Sequence, residues 1–256
     1  MPYQCLLWFL PIVAALAGCA SRPGGADSAT DENSLRASAW AQQSGVVQQG
    51  PDPAAPAWFF WQLPGKSATQ YSPVVHEGRP ALRARSDNSA SVVRQKLNLA
   101  PEQLGTLRFS WFVQRQIAGA DVQTREADDA PVRVMLAFEG DRSKLPVRYN
   151  ALSDLALALT GERLPYATLM YVWSERHSVG SVVHGARTDR VRKLVLASGA
   201  NSLGRWLDYE RDVRADFERA FGEPPGALIG IALMTDSDNT QSRAEAWYGP
   251  LQLQAR

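Results

Sequence analysis

In the stretch TLRFSWFVQ, residues 106–114, every second residue is apolar: Leu107, Phe109, Trp111 and Val113 share one face, Arg108 and Ser110 the other. A period of two marks a strand with one buried face. Similar short runs, bounded by turn residues, recur at 58–63, 81–86, 90–97, 132–138, 166–173, 191–197, 227–235 and 244–254. Helical spacing occurs at 151–159 and 212–222. In the second of these, Val213, Phe217, Ala220 and Phe221 recur every three to four positions; Asp212 stands where an N-cap would, and Gly222 ends the pattern. There is no strand–helix–strand rhythm and no repeat. The pattern predicts a mainly β domain, an antiparallel β-sandwich with two short helices, over residues 57–256.

Ahead of residue 57 the alternation disappears. Residues 20–56 are rich in Gly, Ser, Ala, Gln, Asp and Pro. Such a segment buries too little surface to offset its ordering entropy, so it reads as a flexible tether, with Trp40 and Val46–Val47 as places where it could dock. Earlier still, Leu6–Leu16 is an apolar run too short to cross about 30 Å of hydrocarbon. It ends in LAGC, residues 16–19, which resembles a bacterial lipobox, where a peptidase cuts before an acylated cysteine. No lysine or arginine precedes the run, so an ordinary cleaved signal ending near AGCA is the alternative. The expected organisation is a lipoprotein signal peptide at 1–18, a lipidated Cys19 leading a tether to residue 56, and the sandwich. Ala20 after the cysteine points to the outer membrane, with the domain facing the periplasm.

Composition narrows the chemistry. Twenty-seven Lys and Arg against 26 Asp and Glu leave a formal charge of +1, without the basic footprint of a nucleic-acid-binding protein. The only cysteines are Cys5 and Cys19, so the domain itself has no disulfide, thiolate metal site or cysteine nucleophile.

Five blocks then carry a family resemblance: WQLPGKSATQY (61–71), DDAPVRVMLAFEGD (128–141), LMYVW (169–173), RDVRADFERAFGEPPG (211–226) and IALMTDSDNTQSRAEAWYG (231–249). Together, over most of 58–253, they resemble a domain-of-unknown-function family of bacterial secreted proteins, number three thousand and forty-seven. The resemblance implies an exported jelly roll reminiscent of carbohydrate-binding modules, and supplies no catalytic residue.

Three groups of side chains are candidates for ligand binding. The first is the TDSDN segment with Asp236, Asp238 and Asn239, whose oxygens suit a polar turn, a sugar or a hard cation; the EF-hand spacing fails at Gln241 and Trp247. The second is Asp128 and Asp129, of which an extended chain would let at most one face a site shared with Asp236 or Asp238. Pairing of a loop carboxylate with Arg125 or Arg133 is the structural alternative. The third is Trp206 and Trp247, large aromatics beside Asp208, Glu210 and Arg211, a mixture that suits sugar rings as well as strand-end packing. His76, His177 and His184 lack ligand spacing, and no nucleophile elbow, dinucleotide fingerprint or Walker loop occurs. The sequence therefore predicts no cofactor and no metal. It points to a non-catalytic, lipid-anchored envelope module whose partners are the membrane and a glycan or protein. The alternatives are a polysaccharide hydrolase or lyase working through loop carboxylates, and a structural interaction protein.

Overall fold

The computed structural model describes residues 30–47 and 57–256. The strands are β1 (Gly45–Val47), β2 (Phe59–Gln62), β3 (Gln70–His76), β4 (Arg79–Asp87), β5 (Ser91–Leu99), β6 (Thr106–Val113), β7 (Ala130–Phe138), β8 (Ala167–Ser174), β9 (Val182–His184), β10 (Val191–Ser198), β11 (Trp206–Asp212), β12 (Leu228–Asp236), β13 (Arg243–Tyr248) and β14 (Gln252–Gln254). They form two seven-stranded sheets. The first runs β1-β14-β6-β13-β4-β3, with β11 also paired to β6; the second runs β2-β5-β12-β7-β8-β10-β9.

The chain crosses between sheets from β4 to β5, from β5 to β6 and from β6 to β7. The successive strands β12 and β13 then insert one into each sheet, β12 between β5 and β7, and β13 between β4 and β6. This is the wrap of a jelly-roll sandwich. Pairing is antiparallel except at β1–β14 and β8–β10, which are parallel. Alternation packs the core: Leu107, Phe109, Trp111 and Val113 of β6 meet Val134, Leu136, Phe138, Tyr171 and Trp173 of the facing sheet in one buried cluster. All are within a few per cent of full burial.

There are four α-helices among the described residues, α1 (Glu32–Ala37), α2 (Ala39–Gln43), α3 (Val147–Thr160) and α4 (Val213–Phe221). The last follows its sequence pattern closely. Asp212 accepts from the Ala215 N–H at 3.0 Å, Gly222 closes the helix at φ 71°, and Phe217 packs on Phe138 with ring centroids 4.6 Å apart.

The structure corrects the tether at its centre. Residues 30–47 fold onto the sandwich: Leu35 and Trp40 are buried in the main core, and Trp40 Nε1 donates to the Gly249 carbonyl at 3.0 Å. Trp40 also meets Trp58 with centroids 5.0 Å apart, and β1 extends the first sheet beside β14. Ser38 both ends α1 and caps α2, accepting from the Ala41 N–H at 3.1 Å. The segment is polar in bulk because two large apolar residues suffice to dock two short helices. The expected signal peptide, Cys19 and residues 20–29 lie outside the described residues.

A chain trimmed to start at residue 57 should accordingly lose stability. Trp40→Ala alone should cost about 3–5 kcal/mol, the range for truncating a buried tryptophan. Denaturant unfolding checks this. An unchanged midpoint after either alteration would show that residues 30–47 contribute nothing.

Candidate functional site

Two places gather the sequence candidates, one at an end of the sandwich and one on the outer face of the first sheet. At the end, Asp236 is not in a loop. It is the last residue of β12, 3% exposed, and both its oxygens face Arg133 of β7, Nε at 2.8 Å and Nη2 at 3.1 Å. Arg133 Nη2 also donates to the carbonyl and carboxylate of Asp128 at 2.8 and 3.0 Å. Lys193 of β10, 1% exposed, donates to both Asp128 oxygens at 2.7 Å and to the Val122 carbonyl. Two acids thus balance two bases, with Arg133, Lys193 and Asp236 buried and Asp128 still 27% exposed in its side chain; such pairing is how buried charge is tolerated.

The neighbourhood moves each acidity. Burial raises the Asp236 carboxyl, and Arg133 pulls it partly back. Burial also pushes on Asp128, but the charges of Arg133 and Lys193 win and hold it below the usual carboxylate range. Burial and the adjacent Arg133 lower the Lys193 ammonium to about 8, against the pull of Asp128.

The rest of the TDSDN segment fastens the β12–β13 turn. Asp129 accepts from the N–H groups of Asn239 and Thr240 at 3.2 and 2.7 Å and from the Thr240 hydroxyl at 2.6 Å. Asn239 Nδ2 donates to the Arg125 carbonyl at 2.7 Å, Asp238 pairs with Lys66, and Ser237 shares a hydrogen bond with Ser86 at 2.7 Å. Of Asp128 and Asp129, only the second lies directly among these acids, and the first makes the pairing with Arg133. Asp129 places an oxygen beside Asp236 and Asp238, and Asp128 joins through Arg133, which it shares with Asp236. One oxygen from each of Asp129, Asp236 and Asp238 lies within 4.8 Å of the others, a spacing open to a cation. Arg133, Lys66 and the Thr240 hydroxyl already answer those charges. The acids on which a hydrolase would rely are the ones committed here to ion pairs and turn hydrogen bonds.

On the sheet face the register sets a different chemistry. Cross-strand partners align Trp206 of β11, Phe112 of β6, Trp247 of β13, Arg83 of β4 and Ser72 of β3 in one row. The next row holds Asp208 opposite Ser110, and Val74 opposite Ala81. Phe112 meets Trp206 and Trp247 edge-on at 5.8 and 5.5 Å. His76 stacks on Trp247 at 4.1 Å and reaches Phe112 at 4.5 Å. His76 is delivered there by a tight β3–β4 hairpin in which Glu77 and Gly78 take φ 47° and 76°, the left-handed pair such turns require.

Charges ring this second aromatic cluster. Arg79 lies over Trp206 at 5.3 Å and holds Asp208 at 2.7 Å; Arg83 lies over Trp247 at 5.9 Å and holds Glu245 at 2.7 Å. Arg79 and Asp208 are 44% and 67% exposed in their side chains, so their pair is weak and easily exchanged. The indole N–H of Trp206 and Nε2 of His76 have no hydrogen-bond partner. Trp206 and Trp247, grouped in the sequence by residue type alone, therefore belong to one surface. His76, Phe112, Arg79, Arg83 and Glu245 were not singled out. Their signal was an aromatic on the polar face of a strand: Phe112 alternates with Arg108 and Ser110.

Substitution separates the roles at the sandwich end. Asp236→Asn leaves Arg133 short of a buried counter-charge and should cost about 3 kcal/mol or more. Asp238→Asn should cost under about 1 kcal/mol, since Lys66 is partly exposed. Neither calcium nor a chelator should move the thermal midpoint of the unsubstituted chain. Equal costs for the two variants, or a calcium-induced rise lost in Asp238→Asn, would show that the acids hold an ion.

No curated protein matches the chain. Among solved structures, it is similar to the family 11 carbohydrate-binding module of the cellulosomal cellulase Lic26A-Cel5E of Clostridium thermocellum, at 9% identity and TM-score 0.38, covering 78% of this chain and 88% of that one. It is similar to the xyloglucanase domain of NopAA from Sinorhizobium fredii, at 12% identity and TM-score 0.36, covering 78% and 98%. The endo-1,4-beta-glucanase CelB2 gives 10% identity and TM-score 0.42, covering 78% and 96%. The model of the family described as "Protein of unknown function (DUF3047)" matches residues 56–252, and the chain belongs to that family.

Proposed function

We propose that this protein is a lipid-anchored envelope module that binds a glycan on the outer face of its first sheet. The observation that carries the reading is the row Trp206–Phe112–Trp247, ringed by Arg79, Arg83, Asp208 and Glu245. A sugar ring has an apolar face for an indole and a rim of hydroxyls for charged hydrogen-bonding groups. Arg79 occupies the place a sugar would take over Trp206, held only by an exposed ion pair. Its displacement would open the ring and free both Arg79 and Asp208 for hydroxyls. The Trp206 N–H, buried and unpartnered, would become a further donor only if the ring is uncovered. Anchoring rests on the LAGC sequence at 16–19 and on nothing in the described residues.

Titration with soluble fragments of envelope polysaccharide and peptidoglycan, followed by tryptophan fluorescence, tests the binding. Trp206→Ala should weaken it about tenfold, the loss of one aromatic contact, without lowering the thermal midpoint much. Unaltered affinity in Trp206→Ala would move the site elsewhere. For the anchor, Cys19→Ala should release the chain from the membrane fraction, because several acyl chains hold firmly where none are present to replace them. A substituted chain that remains firmly bound would contradict acylation.

A further inference from the structure

Helix α3 leaves most of its large apolar residues exposed. Its inward stripe is Tyr149, Ser153, Ala156 and Thr160, spaced four, three and four residues apart. Tyr149 and Ser153 are buried, and Tyr149 donates to the Pro165 carbonyl at 2.7 Å. The outward residues are the large apolar ones: Val147 is 86% exposed, Leu152 49%, Leu155 54% and Leu159 71%. Leu152, Leu155 and Leu159 fall at i, i+3 and i+7, a single stripe. A helix in water buries such a stripe against its own domain; here the stripe lies about a quarter-turn around the helix from the buried one and stays about half exposed or more. Something outside the domain must cover it.

The position of the N-terminal segment indicates what that is. Because residues 30–47 are folded on the sandwich, only ten residues, eleven peptide links, separate Cys19 from Thr30. Fully extended, they span at most about 40 Å. A domain of this size is itself about 40 Å across, so it is held against whatever surface carries Cys19. Thr30 sits at one edge of the sandwich. Its hydroxyl accepts from the Tyr71 N–H at 3.2 Å, and Glu32 accepts from the Phe60 N–H of β2 at 3.1 Å. The C-terminal end of α3 reaches the same edge. Glu162, two residues past the helix, accepts from Arg94 of β5 at 2.8 and 2.9 Å and from Lys96 at 2.6 Å. The Arg94 guanidinium in turn lies over Phe59 and Trp61 of β2. The chain's exit and the leucine helix are thus a few strand spacings apart.

We infer that the exposed leucine face of α3 lies in the lipid interface of the membrane to which Cys19 is anchored. The inference rests on the lipid-anchor reading above. A 14-residue helix is about 21 Å long, and an interfacial helix sinks its apolar face about 5–10 Å into the boundary of headgroups and acyl chains. Docking there would fix the orientation of the sandwich on the membrane.

The test uses the full, naturally processed chain in vesicles of phosphatidylethanolamine and phosphatidylglycerol. A fluorophore is placed on Leu155→Cys or Leu159→Cys, with Val179→Cys as a control; Cys19 is blocked by its acyl groups. Val179 is 63% exposed and lies beside β9, at the edge of the second sheet opposite β2. Shallow spin-labelled lipid should quench the labels at 155 and 159 at least about twofold more than the label at 179, given that burial depth. A triple change, Leu152→Gln, Leu155→Gln and Leu159→Gln, should keep the thermal midpoint and raise exchange of the α3 amides on vesicles. A vesicle-bound chain with no extra quenching at 155 overturns the helix contact alone. Quenching between labelled copies that grows with protein density, in place of lipid quenching, overturns it in favour of a second copy. A chain that leaves the vesicles altogether overturns both the anchor and the contact.

Discussion

The sharing of Arg133 between Asp236 and Asp128 is the constraint around which the sandwich end is organised. It joins the last residue of β12 to β7, and through Asp128 and Lys193 it joins β7 to β10. The strand β12 is central in its sheet, and its continuation β13 is central in the other. A pairing at the β12 terminus therefore governs where the chain leaves one sheet and enters the next. Burial makes the quartet demanding as well as strong: removing either acid leaves a buried Arg133 or Lys193 short of its counter-charge. The hydroxyls nearby extend the same logic, with Thr235 donating to the Pro131 carbonyl at 2.8 Å and Tyr248 to the Met234 carbonyl at 2.6 Å.

With that end fastened, the register of β13 against β4 and β6 is set, and register decides which face each aromatic occupies. A slip of one residue would send Trp247 into the core and Tyr248 onto the surface. The row of Trp206, Phe112 and Trp247 is thus a consequence of the ion-paired end. The acids that look most like chemistry in the sequence make ion pairs and turn hydrogen bonds, and the surface we propose for a ligand lies on the sheet.

Much of this was legible in advance. The nine strand segments expected from alternation all occur as strands, with 244–254 divided into β13 and β14, and the cap at Asp212 and stop at Gly222 fix α4. What escaped has physical reasons. Strand β3 contains Pro73, which reads as a strand breaker but is tolerated at the sheet edge where β3 lies. Strand β11 is half polar because it pairs only with β6. The helices at 32–43 lie in a stretch of low apolar content, where Leu35 and Trp40 supply the anchoring that periodicity could not reveal. The site was half visible: Trp206 and Trp247 stood out by type, but only strand pairing shows that Phe112 bridges them and that His76 covers one.

The central claim is that ligand meets the sheet face, not the acidic end. The indole N–H of Trp206 is the most direct reporter, since it has no partner in the folded chain. Its nitrogen-15 resonance, followed while envelope glycan is added, should shift together with those of Trp247 and His76, while the amides of residues 236–240 stay in place. Shifts confined to 236–240, with the Trp206 indole unmoved, would contradict the account.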